Sequence, residues 1–494
     1  MQYCSTRNAS WKESSAHAIR CGLAPDGGLF LPEAIPALSY EDILAMRFDS
    51  YPVRAAKLLS LFLTDYEPEK LLSFTERAYA SGRFPAPSPA PVVPIGDNTH
   101  VLELFRGPTA AFKDMALQML PLLLTEAMRL EGIREKVLIL TATSGDTGSA
   151  AMTGFSDVEN TAICVYYPKG GTSLLQRLQM TTQSGKNVLT AAVRGNFDDA
   201  QRGVKAIFAD NAWKEKLKSH GFVLSSANSI NFGRIAPQIV YYFSGYLDML
   251  NAGSIAPGES ISVAVPTGNF GNILSAYYAK QMGLPVKTLI CASNRNKVLF
   301  DFIRTGTYDK RRSFYRTSSP SMDILVSSNL ERMLYLLADG DAALTAEYMQ
   351  LLSAEGCYSI REDMRARLQK DFTAYWTDEE GTAASIRLTK ERCHYLPDTH
   401  TAVALDAVRQ FRAETGSGDK VLVAATASPF KFPGTVLQAL GEAVPENEFE
   451  MLGRLEAVTG EKAPAALRML RDKPERFTGE TEKDSMADVL TALL

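Results

Sequence analysis

From about residue 136 onward, short apolar and β-branched runs recur along the chain. Each closes on small or polar residues and is followed by a helical pattern. The runs are KVLILTATSGDTG, TAICVYYPKGG, KNVLTAAVRGN, FVLSSANS, SISVAVPTGNFG, VKTLICASN and KVLVAATAS. Strands alternating with helices predict right-handed βαβ units and a mainly parallel sheet. Ligands of such sheets sit beyond the carboxyl ends of the strands, so the turns that follow these runs are where chemistry is to be sought. Upstream the pattern changes. Asp26-Gly27-Gly28 is a turn signal leading into a short apolar run, and helical patterns follow over roughly 40–65 and 67–81. The stretch from Phe84 to Asn98, punctuated by Pro85, Pro87, Pro89, Pro91 and Pro94, reads as a stiff extended connection and predicts a domain boundary near residue 95. From Ala110, AFKDMALQMLPLLLTEAMRL reads as an apolar helix interrupted only by Pro121, with Thr109 as its N-cap.

Composition narrows the classes. A chain of 494 residues predicts two or three domains. The net charge of -4 argues against a general nucleic-acid binder, and no apolar run approaches the roughly 20 residues that cross a bilayer. The cysteines are scattered with no CxxC, which fits reduced thiols in a cytoplasm. The five histidines form no HExxH or comparable pairing, so no metal site is expected.

The chemistry gathers in a few turns. Gly107-Pro-Thr-Ala-Ala-Phe-Lys-Asp114 places Lys113 in or near the first turn of its helix, where partial positive charge disfavours an ammonium. Burial beside Phe112, Met115 and Leu117 would lower its pKa further, which is what Schiff-base chemistry needs. Taken alone, a surface lysine beside Asp114 is the simpler reading. Pro266-Thr-Gly-Asn-Phe-Gly-Asn272 follows a strand and opens a helix. Its two glycines let successive amides face one concavity, so it reads either as a phosphate site or as an ordinary strand–helix turn. Gly195-Asn196-Phe197 repeats three of those letters, but Asp198 and Asp199 would repel a phosphate and act as helix capping. Ser144-Gly-Asp-Thr-Gly-Ser149 offers hydroxyls and amides to an anion, with Asp146 opposing one unless it is an N-cap facing away, and a capped turn with no ligand role reads equally well.

Together, a Schiff-base lysine and two anion-binding turns in an α/β chain suggest a pyridoxal phosphate (PLP) enzyme. The Lys113 motif, Thr141-Ala-Thr-Ser-Gly-Asp-Thr-Gly148, Asn228-Ser-Ile-Asn231 with Arg234, and Gly268-Asn-Phe-Gly-Asn272 resemble the threonine synthase family. So do the early Gly22-Leu-Ala-Pro-Asp-Gly-Gly-Leu-Phe30 and the late Thr426-Ala-Ser-Pro-Phe-Lys-Phe432. The motifs follow the family's order over nearly the whole chain. The resemblance implies PLP fold type II, the tryptophan synthase β class: two open, mainly parallel sheet domains with flanking helices, and an N-terminal, mostly helical domain. The expected divisions are 1–95, a smaller α/β domain with the PLP lysine over 96–245, and a larger cofactor-binding domain with C-terminal helices over 246–494.

By the same resemblance Lys113 is the catalytic residue and the Schiff-base partner of PLP. Gly268, Asn269, Phe270, Gly271 and Asn272 would bind the cofactor phosphate, and Thr426 would hydrogen-bond the pyridine nitrogen. The implied reaction is conversion of O-phospho-L-homoserine and water into L-threonine and phosphate. Ser144, Asp146, Thr147, Asn231 and Arg234 are the candidate substrate contacts, although Asn228 and Asn231 read equally as satisfying local backbone, and Arg234 could be a surface salt-bridge partner. Relatives commonly read Thr-Ala-His-Pro-Ala-Lys-Phe in the late motif. Here Ser428 and Phe430 depart while Thr426, Pro429 and Lys431 are kept. In Asp398-Thr-His-Thr-Ala-Val403, His400 reads better as a satisfied buried histidine than as a ligand contact. A small-molecule enzyme in the cytoplasm, monomeric or homodimeric, is expected. A phospholyase or dehydratase of the same fold, or a non-catalytic phosphate-binding α/β protein, are the alternatives.

Overall fold

The structure is a computed structural model describing residues 1–85 and 87–494. All seven sequence runs form strands, and they sort into two sheets. Lys136–Ala142, Thr161–Pro168, Val188–Arg194 and Phe222–Ser225 make an all-parallel sheet, with Phe222–Ser225 on one edge and the C-terminal Glu480–Glu482 on the other. Ile261–Pro266, Val286–Ser293 and Val421–Ala425 belong to a six-stranded sheet. Its order is Phe372–Trp376, Val286–Ser293, Ile261–Pro266, Val421–Ala425, Thr99–Glu103, Val92–Gly96. That sheet is parallel except for its last strand. These inner strands are buried on both faces, hence their continuous apolar runs.

Several elements depart from expectation. The proline-rich stretch ends in a hairpin: Val92–Gly96 pairs antiparallel with Thr99–Glu103 around Asp97 and Asn98, both with positive φ. Pro94 is accommodated because its strand is the sheet edge, where a missing amide proton costs little. Ala86, within the same stretch, lies outside the described residues. Each sheet also draws chain from beyond the boundary expected at 245. Thr99–Glu103 sits in the six-stranded sheet, Glu480–Glu482 in the other, and the helix Phe232–Asn251 runs across residue 245. The expected helix over 40–65 is two helices, Tyr40–Ala45 and Tyr51–Phe62, followed by Pro68–Ala78. Ahead of them Asn8–Glu13, Tyr3–Ser5 and Phe30–Pro32 form a small antiparallel sheet. The helix expected from Ala110 is likewise divided, into Lys113–Leu117 and Leu120–Leu130. Pro121 falls in the first turn of the second, where its missing N–H has no helical acceptor to lose. No helix among the described residues is long and apolar enough to cross a membrane.

This topology positions a site. Ile261–Pro266, Val421–Ala425 and Thr99–Glu103 are adjacent parallel strands, so the Gly268 loop, Thr426 and the Lys113 segment leave the same edge of one sheet. Lys136–Ala142 and Phe222–Ser225 are neighbours in the other sheet and deliver Ser144–Thr147 and Asn231–Arg234. The long helix Phe232–Asn251 is buried almost throughout.

Candidate active site

Lys113 and Asp114 are both buried, so the surface ion-pair reading is excluded. Thr109 does not cap the helix; Phe112 holds that position without a side-chain bond. Instead the Thr109 N–H and hydroxyl donate to the Asp114 carboxylate at 2.8 and 2.7 Å, folding the loop back on its own helix. Gly107 is required there: a Cβ would come within 2.6 Å of Asp114. The loop is pinned to the late motif. The Phe112 N–H donates to the Thr426 carbonyl at 2.8 Å, and the Ser428 N–H to the Ala110 carbonyl at 3.1 Å.

The Lys113 amine lies 3.5 Å from Asp146 Oδ2 and 3.3 Å from Ser321 Oγ. Burial lowers its pKa, opposed by Asp146 and reinforced by the Lys431 and Arg234 cations. A lysine so placed gives up its proton more readily than one in water. Asp146 shows the reverse balance. Burial alone would raise its pKa, but Lys431 and Lys113 hold it well below the usual carboxylate range. Lys431 Nζ is 2.7 Å from Asp146 Oδ1 and donates to the Thr109 carbonyl at 3.0 Å, while Gln176 Nε2 donates to the same carboxylate oxygen at 3.0 Å. Asp146 is not an N-cap facing away; Gly145 holds that position at φ 141° and the carboxylate faces the lysines. Such a charge opposes an anion, and the carboxylate spends its contacts on Lys113, Lys431 and Gln176.

The Gly268–Asn272 loop leads into the helix Gly271–Gln281, whose first N–H groups have no helical acceptor. Phe270 takes φ 60° and buries its ring against Phe372, so only its backbone faces a ligand. A Cβ on Gly268 would meet the Ser321 carbonyl at 2.6 Å. Asn272 Oδ1 accepts from the Tyr241 and Tyr242 hydroxyls, which fixes the amide, and its buried Nδ2 has no partner among the described residues. Asn269 is exposed, its carbonyl accepting from the Asn329 side chain at 3.0 Å.

Of the proposed substrate contacts, Ser144 is exposed, Thr147 half-buried and Arg234 buried. Arg234 Nη1 donates to the Ala227 carbonyl at 2.8 Å, its buried Nε has no partner among the described residues, and burial lowers its pKa to about 10. Arg234 is therefore no surface salt-bridge partner. Asn231 is corrected. Its Nδ2 donates to the Ile19 and Ser226 carbonyls and its Oδ1 caps Gly233, so its side chain is committed to the backbone. Asn196 likewise makes a capping box with Asp199, the simple reading of that turn.

Ser321 escaped the sequence reading, as it lies in a polar stretch without periodicity, as did the ion pair of Lys431. Ser321 is held by His400, whose Nε2 accepts the Ser321 N–H at 3.1 Å while Nδ1 bonds Asp398 at 2.6 Å. A satisfied buried histidine is thus also a wall of the site. The departures Ser428 and Phe430 line a cavity of about 660 Å³ that Thr109 shares and Lys113 does not.

The residues fit pyridoxal phosphate: a buried amine of lowered pKa, a glycine loop at a helix start, and two buried donor nitrogens, Asn272 Nδ2 and Arg234 Nε, without partners among the described residues. Three family models match the chain: threonine synthase N terminus over residues 2–79, pyridoxal-phosphate dependent enzyme over 97–427, and threonine synthase C-terminal over 401–489. The chain belongs to the threonine synthase family. Threonine synthase of Pseudomonas aeruginosa is 39% identical over 448 residues, covering 90% of this chain and 91% of that one. The PLP-bound threonine synthase from Brucella melitensis superposes with a TM-score of 0.88 at 36% identity, covering 100% and 99%. Human threonine synthase-like 1 is 40% identical over 435 residues, 86% of this chain, and the chain spans 58% of the length of that relative. The threonine synthase relationship accounts for PLP as the cofactor and for the type II fold.

Proposed function

We propose that this protein converts O-phospho-L-homoserine and water into L-threonine and inorganic phosphate. The observation that carries the reading is the Arg234 guanidinium, buried with a free Nε and close enough to Lys113 to depress its pKa. A buried arginine with an unused donor suits a phosphate. When bound, PLP supplies an electron sink for charge developing at the substrate carbons. Lys113 carries the cofactor and, once released, moves protons through Nζ; its lowered pKa makes it a readier proton carrier than a lysine in water. Ser321 and Asp146 orient that nitrogen from one side, and the Gly268–Asn272 loop grips the cofactor phosphate. Thr426, buried just past the end of its strand, would hydrogen-bond the pyridine nitrogen. Ser144 and Thr147, at the rim, complete the contacts to substrate. The free cysteines suit a reducing cytoplasm.

Purified protein given O-phospho-L-homoserine should release threonine and phosphate in equal amounts. Lys113→Ala should lose at least 10³-fold in kcat, and the borohydride-stable cofactor adduct with it. Phosphate accompanied by a keto acid in place of threonine would sink this reading in favour of a phospholyase.

A further inference from the structure

Away from this site, the helix Ser15–Cys21 carries a second reactive grouping. His17 and Cys21, one turn apart, place Nε2 and Sγ 3.3 Å from each other. The opposite ring nitrogen, Nδ1, lies 2.8 Å from Glu131 Oε1 and 3.6 Å from Glu13 Oε2. Glu131 also holds Arg20, whose Nη2 is 3.3 Å from Nδ1. The ring stands edge-on to Phe30, which limits its rotation. Nucleophile, base and orienting carboxylate thus follow in order within hydrogen-bond reach, the arrangement that activates a thiol. The imidazole is pushed up to about 9, first by its hydrogen bond to Cys21 and further by Glu131. Cys4, Cys164 and Cys291 are buried; Cys357 and Cys393 share the half-buried state of Cys21 without its histidine.

We propose that Cys21 is a modification site, a thiol primed by His17 and Glu131 for oxidation by hydroperoxides. His17 takes the thiol proton and the sulfur attacks a peroxide oxygen. An S–O bond forms, the O–O bond breaks, and the leaving hydroxide or alkoxide takes the proton from His17 as water or alcohol. The thiol is oxidised to a sulfenic acid and the peroxide reduced. Proton acceptance and return at one nitrogen is what the Glu131-oriented ring allows.

The site is coupled to the chemistry by contact. Gly22 ends the helix at φ 71°, and a Cβ there would lie 3.1 Å from Asn231 Nδ2. Asn231 Nδ2 donates to the Ile19 carbonyl at 2.8 Å, and Ser225 Oγ to the Arg20 carbonyl at 2.7 Å. Asn231 caps the helix that carries Arg234. An oxygen added to Cys21, the residue between Arg20 and Gly22, would shift the helix end that Asn231 and Ser225 hold, a consequence that rests on the substrate role given to Arg234 above.

The test treats holoenzyme with hydrogen peroxide and dimedone, a trap for sulfenic acids, and maps peptides by mass spectrometry. Cys21 is expected to label at least tenfold faster than Cys357 and Cys393. His17→Gln and Glu131→Gln should bring it to their rate. Equal labelling of the three thiols, or labelling of Cys21 unchanged in folded Glu131→Gln, overturns the proposal; that variant decides should His17→Gln not fold. Cys21→Ser should turn over normally and keep its KM after peroxide, whereas the wild-type KM rises severalfold. Fast labelling with an unmoved KM would leave the reactive thiol standing and overturn its link to Arg234.

Discussion

Replacing Lys431 with methionine strips a buried carboxylate of its nearest cation. Lys431 Nζ is 2.7 Å from Asp146 and its side chain is fully buried, against 3.5 Å for Lys113. At an effective dielectric constant of about 20 these separations correspond to Coulomb attractions of about 6 and about 5 kcal/mol, most of which offsets desolvation. Removing one partner of a buried pair typically costs about 3–5 kcal/mol, and with Lys113 still in place the lower end, about 3 kcal/mol, is expected. The Thr109 carbonyl also loses its Lys431 donor but keeps Gln179 Nε2 at 3.1 Å, so it adds little. Asp146→Asn alone should cost a similar amount by stranding Lys431. The double variant should lose far less than the sum, a coupling of about 3 kcal/mol. Urea unfolding of the four cofactor-free proteins, with reversibility checked, measures the cycle; removing the cofactor keeps binding linkage out of the comparison. The sign with pH is also set. Asp146 is held low in the folded state, so its contribution is present above the ordinary carboxylate pKa of about 4 and is lost as pH falls through the folded value. Lys431→Met should move that acid limb upward. A loss under about 1 kcal/mol, or strict additivity, would refute the account of this pair.

Two further outcomes follow from the same groups. Ser321→Ala removes the hydroxyl 3.3 Å from both Lys113 and Asp146; kcat should fall by about tenfold or more with KM changed less, by steady-state kinetics. Asp114 is pushed up to about 6, by burial that outweighs its bonds to Thr109. Since the folded value exceeds the unfolded one, its contribution is present below about pH 4 and lost as pH rises through 6, at most about 3 kcal/mol. Denaturation midpoints of Asp114→Asn should lack the decline the wild type shows between pH 4 and 7.

What the sequence made legible, it did through local causes. Parallel strands covered on both faces must be continuously apolar, so Lys136–Ala142 and Ile261–Pro266 announce themselves. The turns after them carry glycines where Gly145 takes φ 141° and Gly268 meets the Ser321 carbonyl. The rest depended on distant chain. Tyr3–Ser5 is too short to show alternation. The hairpin around Asp97 and Asn98 was masked by prolines that an edge strand tolerates. Ser321 reaches the site with its amide held by His400, 79 residues away, and no spacing within its own segment marks it.

The charges around Lys113 explain why its neighbours are drawn from four separate turns. Lys431 and Arg234 both lower its pKa, while only Asp146 opposes them at close range. Two cations and one carboxylate leave the enclosure electropositive, which destabilises a third cation and favours an incoming anion. The same imbalance therefore does two things. It encourages the amine to lose its proton, and under the proposed function it would draw phosphate groups toward Arg234 and the Gly268–Asn272 loop. A second acidic residue placed as close as Asp146 would weaken both effects, and Asp114, the nearest along the chain, is instead turned toward Thr109.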